Sequence, residues 1–336
     1  MNIAISLPVV AAALGAAAVL SFAFVCALMP LLRRFALSRP NARSSHRAPT
    51  PQGGGIAVAG ATILVTLASA VAGGSANLVP LGAVCAAAAF LAVLGALDDT
   101  GPLPPLPRLA GHTFAAALAL TAVPEPLIPA LPYWIDRVAL LLALVWVVNL
   151  TNFMDGIDWM TVAEIVPVTA ALLLLGWLGA LPGGAIALSA ALLGGMLGFA
   201  PWNRPVARLF LGDAGSLPIG LILGTLLIAL AGRGHWAAAL LLPLYYLCDA
   251  TGTLLRRLAR GERPWQAHRD HFYQRALDGG MPIGGILARV IATNLALAAL
   301  AVTVAWHRSP PVNAAALAAG ALLVVLLLRR LARGSH

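Results

Sequence analysis

Lysine is absent from this sequence, and all 21 of its basic residues are arginine. Charge of either sign is scarce: 10% of the 336 residues, against about 25% in soluble globular domains, which excludes an ordinary water-soluble fold. Cysteine is nearly absent. Cys26, Cys85 and Cys248 sit singly in apolar runs, so neither a disulfide scaffold nor a cysteine-ligated metal site is available, and the three read as small core residues. What fills the sequence instead is apolar: 60% hydrophobic residues and a mean hydropathy of +0.90 define an integral membrane protein. Its first apolar run, Ile3 to Leu32, is too long for a signal-peptide core and lacks a basic start, so it is expected to be a retained helix.

Eleven apolar segments are long enough, or nearly so, to span a bilayer: 4–32, 55–73, 78–97, 107–123, 135–150, 160–179, 184–200, 216–231, 236–255, 283–306 and 314–328. The expected fold is therefore an all-α polytopic membrane protein of about 11 transmembrane helices. Residues 1–333 form one transmembrane domain, and 334–336 read as an appended remnant. Arginine placement sets the orientation. With the N-terminus outside, one side receives Arg33, Arg34, Arg39, Arg43, Arg47, Arg108, Arg204 and Arg208. It also receives Arg256, Arg257, Arg260, Arg263, Arg269, Arg275, Arg289, Arg329, Arg330 and Arg333. The other side holds only Arg137, Arg233 and Arg308. The richer side is then cytoplasmic, and so is the C-terminus.

Every conspicuous polar motif maps to that same side. The central one is Asn149-Leu-Thr-Asn152-Phe-Met-Asp155-Gly-Ile-Asp158-Trp159, between two apolar segments. Its Asn and Asp residues fall at steps of three and are expected to share one helical face. Unpaired at a membrane boundary they are costly, which makes them functional candidates, the alternative being a solvated helix end. Gly156 suggests that the backbone there approaches something closely. Asp98-Asp99 closes the third segment, with Arg108 following; adjacent carboxylates repel, and a divalent cation or shared proton relieves this, unless the pair simply faces water. Phe210-Leu-Gly-Asp213-Ala-Gly-Ser216 leads into the eighth segment, where Asp213 is either a site carboxylate or a helix N-cap. His268-Arg-Asp-His271-Phe-Tyr-Gln-Arg275 lies in the longest basic loop and suits diphosphate binding or contact with anionic lipid. Pro49-Thr50-Pro51-Gln52-Gly53-Gly54-Gly55, after His46, offers either exposed amides for a phosphate or a plain turn. Asp249 is expected to pair with Arg256 or Arg257, and Glu164 and Asn294 are left unassigned.

Taken in order, these five motifs resemble the polyprenyl-phosphate N-acetylhexosamine-1-phosphate transferases, the WecA/MraY-like glycosyltransferase family 4. The loop ending His-Arg-Asp-His-Phe-Tyr-Gln-Arg resembles the WbpL-type O-antigen initiators more than the MraY branch. Trp159 departs from the pattern, which has Gly there. The resemblance implies transfer of an N-acetylhexosamine 1-phosphate from a UDP-sugar to undecaprenyl phosphate, releasing UMP and initiating a cell-surface polysaccharide. It implies magnesium, or manganese in its place, and a cytoplasmic site in a bacterial inner membrane. Asp213, Asn152 and Asp99 are its metal ligands, and Asp98, Asp99, Asp213 and His271 its catalytic set. Asp155, Asp158, Asn149, Phe210, His268, Arg275, Arg108, His46 and Thr50 are its substrate contacts. The implied partners are the two substrates, the bilayer and a second copy in a homodimer, with no nucleic acid. The rival class is a polytopic lipid or solute transporter, which would place its ionisable residues near the midplane around broken helices.

Overall fold

The computed structural model describes residues 7–38, 49–73, 78–263, 266 and 268–334. His46 and the last two residues of the terminal tripeptide lie outside the described residues. Apolar sequence in lipid must satisfy its backbone internally, and the chain does so almost wholly as helix. The elements are α1 (Leu7–Phe35), α2 (Gly55–Ala72), α3 (Leu78–Thr100), α4 (Pro105–Leu120), α5 (Tyr133–Met154), α6 (Met160–Trp177) and α7 (Gly183–Asn203). There follow α8 (Asp213–Gly232), α9 (Trp236–Leu241), α10 (Leu244–Ala259), α11 (Phe272–Asp278), α12 (Ile283–His307) and α13 (Pro310–Ala332). Two short strands, β1 (Leu37–Ser38) and β2 (Thr50–Pro51), pair antiparallel beside the end of α1.

Among the described residues nine helices are long and apolar enough to cross a membrane. All eleven expected segments are helical, but two differ in form. α4 has only 16 residues, and the ninth segment is broken between α9 and α10 at Pro243, which lacks the N–H a continuous helix needs. The centre is α8, 89% of whose most apolar window is buried, against 22% for α1 and for α13 at the periphery. That fits a helix apolar on every face, which must be surrounded by protein or lipid on all sides. α8 packs on α3, α5 and α2, and its N-terminus meets that of α2 so closely that a Cβ at Gly55 would strike the backbone of Gly215. Glycine is required there by contact, and the contact holds Asp213 at the centre of one end of the bundle. Cys85 is buried as expected, whereas Cys26 faces outward.

Candidate active site

The site is assembled around the first turn of α8. Asp99, at the end of α3, accepts hydrogen bonds from the Asp213 N–H (2.9 Å) and the Ala214 N–H (3.1 Å), and its carboxylate is also held by the Gln52 side-chain amide. The sequence offered Asp213 as a possible helix cap; the structure gives that task to Asp99 instead. A carboxylate there satisfies orphan amides and complements the positive end of the helix. Asp213 is thereby free to face Asn152, whose Nδ2 donates to Asp213 Oδ1 (2.7 Å) and to Ser216 Oγ (3.0 Å). Asp98 lies within hydrogen-bonding reach of Asp213. Its outer oxygens accept from the Leu103 N–H (2.6 Å) and Arg108 Nη1 (3.0 Å). Arg108 therefore joins the site through Asp98. His112 of α4, which sequence reasoning passed over, is buried beside Asn149.

The expected single face of Asn149, Asn152, Asp155 and Asp158 is not what forms. α5 ends at Met154, Asp155 leaves helical geometry (φ −82°, ψ 55°), and Trp159 is left-handed (φ 63°). Asn149 donates back to its own helix at Val145 O (2.7 Å). Asp158 accepts from the Ala207 N–H (2.9 Å), which ties it to the connection between α7 and α8. Trp159 occupies a conformation that favours glycine and is tied at both polar atoms: its N–H donates to Asn203 Oδ1 (2.8 Å) and its Nε1 to Ala200 O (2.7 Å). Such strain costs about 1–3 kcal/mol and persists only where neighbours overdetermine it. Asp155 accepts from Thr161 Oγ1 (2.5 Å). Burial pushes its carboxyl up to about 7 against that hydrogen bond, with the Asp99 and Asp158 charges adding to the rise.

Gly156 approaches Tyr273: a Cβ there would overlap the Tyr273 hydroxyl, which donates to Phe153 O (3.2 Å). This contact docks α11 and the preceding His268–His271 segment on the end of α5. The segment has a second anchor. Asp249, fully buried on α10, accepts from the Phe272 N–H (3.1 Å) and lies 3.1 Å from His271 Nδ1. The expected Asp249–arginine pair does not form. Arg257 instead bridges Glu262 (2.7 Å) and Asp270, and Arg256 donates to Asp270 O (2.7 Å) and covers the Phe272 ring. Its position inside an apolar segment was the signal for Asp249, but its partner was not readable. Burial, with His271 and the Arg257 guanidinium, pushes the His268 imidazole down to about 4 against the pull of Asp270. Arg275 lies against the Phe272 ring.

Two of the three glycine amides are used within the protein. The Gly54 and Gly55 N–H groups donate to Phe210 O and Leu211 O (2.9 Å each), leaving neither for a phosphate. Thr50 is buried in β2, opposite Ser38. Phe210 is held in extended backbone against Pro51 and Gln52, with its ring half-buried. Glu164 and Asn294 pair with each other (2.7 Å) and join α6 to α12.

Among the described residues no three His, Cys, Asp or Glu side chains form a metal-holding group. The Asp98 and Asp213 carboxyls supply two hard oxygen donors, and the Asn152 amide, whose O and N exchange by a flip, can supply a third. Two close carboxyls need a proton or cation between them. One or two carboxylates is also the usual protein contribution to a magnesium ion that keeps its waters and binds substrate phosphate, so the residues fit that ion.

Fold and site together describe a polytopic helical membrane enzyme with an acidic centre at one end of its bundle. The glycosyl transferase family 4 model matches residues 81–231. A decaprenyl-phosphate N-acetylglucosaminephosphotransferase of Mycolicibacterium smegmatis is 31% identical over 286 residues, 74% of this chain and 70% of that protein. The Mycobacterium tuberculosis protein of the same name is 30% identical over 304 residues, 80% of this chain and 75% of its own. A phospho-N-acetylmuramoyl-pentapeptide-transferase of Enterococcus faecalis is 38% identical over 66 residues, 20% of each chain. The chain belongs to glycosyl transferase family 4, and it is a multi-pass membrane phosphosugar transferase.

Proposed function

We propose that the protein transfers an N-acetylhexosamine 1-phosphate from a UDP-sugar to undecaprenyl phosphate on the cytoplasmic side of a bacterial inner membrane, opening the assembly of a cell-surface polysaccharide such as an O-antigen. The observation that carries this reading is the meeting of Asp98, Asp213 and Asn152 at one end of the bundle, flanked by the His268–Arg275 segment. A lipid phosphate oxygen attacks the sugar-bearing phosphorus. A new P–O bond forms, the bond to the bridging oxygen breaks, and its electron pair leaves with UMP. Both reactants are anions, so positioning and charge compensation dominate the barrier.

A magnesium ion held by Asp98, Asp213 and Asn152 would offset the diphosphate charge. Asp99 keeps Asp213 aimed by capping α8, which makes it a positioning residue rather than a ligand. Arg108, ion-paired with Asp98 (3.0 Å), keeps further N–H groups for the lipid phosphate. The Asp249 carboxylate accepts from His271 Nδ1 and leaves Nε2 facing outward, where it donates to a phosphate oxygen when the ring carries both protons. His268 and Arg275 border the same phosphates, Asp155 takes sugar or ribose hydroxyls, and Phe210 lends an apolar wall to the base. The ionisable groups cluster at helix ends, not around the break at Pro243, which favours a transferase over a transporter.

The deciding experiment is UMP release by purified protein supplied with undecaprenyl phosphate, magnesium and a panel of UDP-N-acetyl sugars. Asp213→Asn should abolish release while the protein stays monodisperse in detergent. Vesicle uptake of a substrate with no UMP formed would overturn the proposal.

A further inference from the structure

α8 carries the site at its first turn and ends, about 30 Å away for its 20 residues, at the opposite face of the bundle. A polar cavity of about 260 Å³ opens there, lined by Arg233, His235, Trp236, Arg308 and Asn313. Three arginines lie at this end, and their surroundings differ. Arg137 is fully engaged by Asp136 (2.7 Å) and by the carbonyls of Val123 and Glu125. Arg233 and Arg308 form no ion pair with a described residue, and both line the cavity. Arg308 Nη2 lies 3.1 Å from Nε2 of the buried His235. A guanidinium has no lone pair to offer, so Nε2 must accept, and the imidazole is neutral with its proton on Nδ1. Burial together with both guanidiniums holds His235 below the ordinary imidazole range, which agrees. The neutral imidazole steers Arg308 without cancelling its charge. Two cations thus share one cavity without a counter-charge from a described residue.

Two further features narrow what fits. Asn313 Oδ1 is buried with no hydrogen-bond partner, so the cavity offers one acceptor beside its donors. Trp236, 50% exposed, lines it as aromatics do at the headgroup level of a bilayer. We infer that this cavity binds a phosphodiester headgroup that also carries a hydroxyl, the chemistry of phosphatidylglycerol, in the leaflet opposite the active site. The guanidinium forks take the phosphate oxygens, and the Asn313 carbonyl accepts from the headgroup hydroxyl.

The test uses the full chain, delipidated in detergent, and needs no turnover, so it is independent of the transfer reading. Thermal melting and native mass spectrometry are run with phosphatidylglycerol, with phosphatidylcholine of the same chains, and with inorganic phosphate. Phosphatidylglycerol should raise the melting temperature well above the phosphatidylcholine baseline. The Arg233→Gln/Arg308→Gln protein should bind it at least tenfold more weakly, and Arg329→Gln/Arg330→Gln, altered at the end of α13, should bind it as the parent does. If the double variant folds poorly, Arg233→Gln alone should still weaken binding severalfold. An unchanged phosphatidylglycerol response in the Arg233/Arg308 variants, or its loss only in the Arg329/Arg330 variant, overturns the site. A shift reproduced by inorganic phosphate alone and lost in Arg233→Gln/Arg308→Gln upholds the anion pocket and overturns the lipid as its source.

Discussion

Asp249→Asn is the sharpest probe of the proposed mechanism, because it changes charge and hydrogen count but not size. The wild-type carboxylate oxygen serves both the Phe272 N–H and His271 Nδ1 at 3.1 Å, in a fully buried setting. A hydrogen bond to a charged group contributes about 1.5–3 kcal/mol, roughly twice its neutral counterpart. The amide keeps a carbonyl for the same two donors, so the expected loss is about 1–1.5 kcal/mol. Expressed in catalysis this is close to tenfold, at about 1.4 kcal/mol per decade. Asp249→Ala removes the acceptor of both donors and strands a backbone N–H, so its loss should be about a hundredfold, with reduced thermal stability.

The assay is UMP release at saturating donor and acceptor, with KM measured for each. Because Asp249 is proposed to act through His271, kcat should fall and KM should hold. In a His271→Ala background, itself slowed by about two to three orders of magnitude, Asp249→Asn should cost nothing more. Equal and additive losses in the two backgrounds, or a wild-type rate in Asp249→Asn alone, would refute the positioning role.

Three further outcomes are expected. Asp155, with its carboxyl raised to about 7, is protonated in the folded enzyme at pH 6 and ionised at pH 8. If the ionised form receives substrate hydroxyls, UMP release should climb through pH 7 by up to about tenfold per unit below it, and Asp155→Asn should flatten that limb; an unchanged pH profile in the variant counts against the role. Gly156→Ala should push Tyr273 off its seat and lower kcat and melting temperature together, whereas Tyr273→Phe removes only the hydrogen bond to Phe153 O, worth about 1 kcal/mol, and should shift melting alone. Asp99→Asn should keep the fold but lose one cap acceptor, and it should weaken the apparent magnesium requirement less than Asp213→Asn does; a larger effect from Asp99 would return it to the ligand set.

Much of this was legible in the sequence because a bilayer leaves few choices. The described part of every apolar segment is helical, and five motifs spread between Pro49 and Arg275 met at one end, linked by Gln52–Asp99, Asp99–Asp213, Asn152–Asp213 and Phe153–Tyr273. What was not legible is how each carboxylate spends its lone pairs. Steps of three imply a shared face only while the helix continues, and α5 stops at Met154, sending Asp158 to Ala207. Asp99 and Asp213 look interchangeable as residues, yet one caps α8 and the other takes the Asn152 amide. Asp249 could not be paired in advance, because its partners lie 22 and 23 residues away, beyond a loop that the helical repeat does not govern.

The distribution of partners at the two ends of the bundle follows from this difference in chemistry. At the site end most charges are answered from within: Asp98 by Arg108, Asp270 by Arg257, Asp278 by Arg269, Asp99 by helix amides. The groups left over there are Asp213 beside Asp98, which calls for a cation, and the imidazole and guanidinium groups of the adjoining loop, which call for anions. A protein that merely sat in the membrane would gain by eliminating such leftovers, since each one costs desolvation without return. At the far end two guanidiniums and a neutral histidine share a cavity whose lining includes no carboxylate, so the proposed occupant is an anion alone. On the proposed reading, opposite signs side by side suit an end that brings two anionic substrates and a cation together, and the cationic cavity suits an end that holds a single anion.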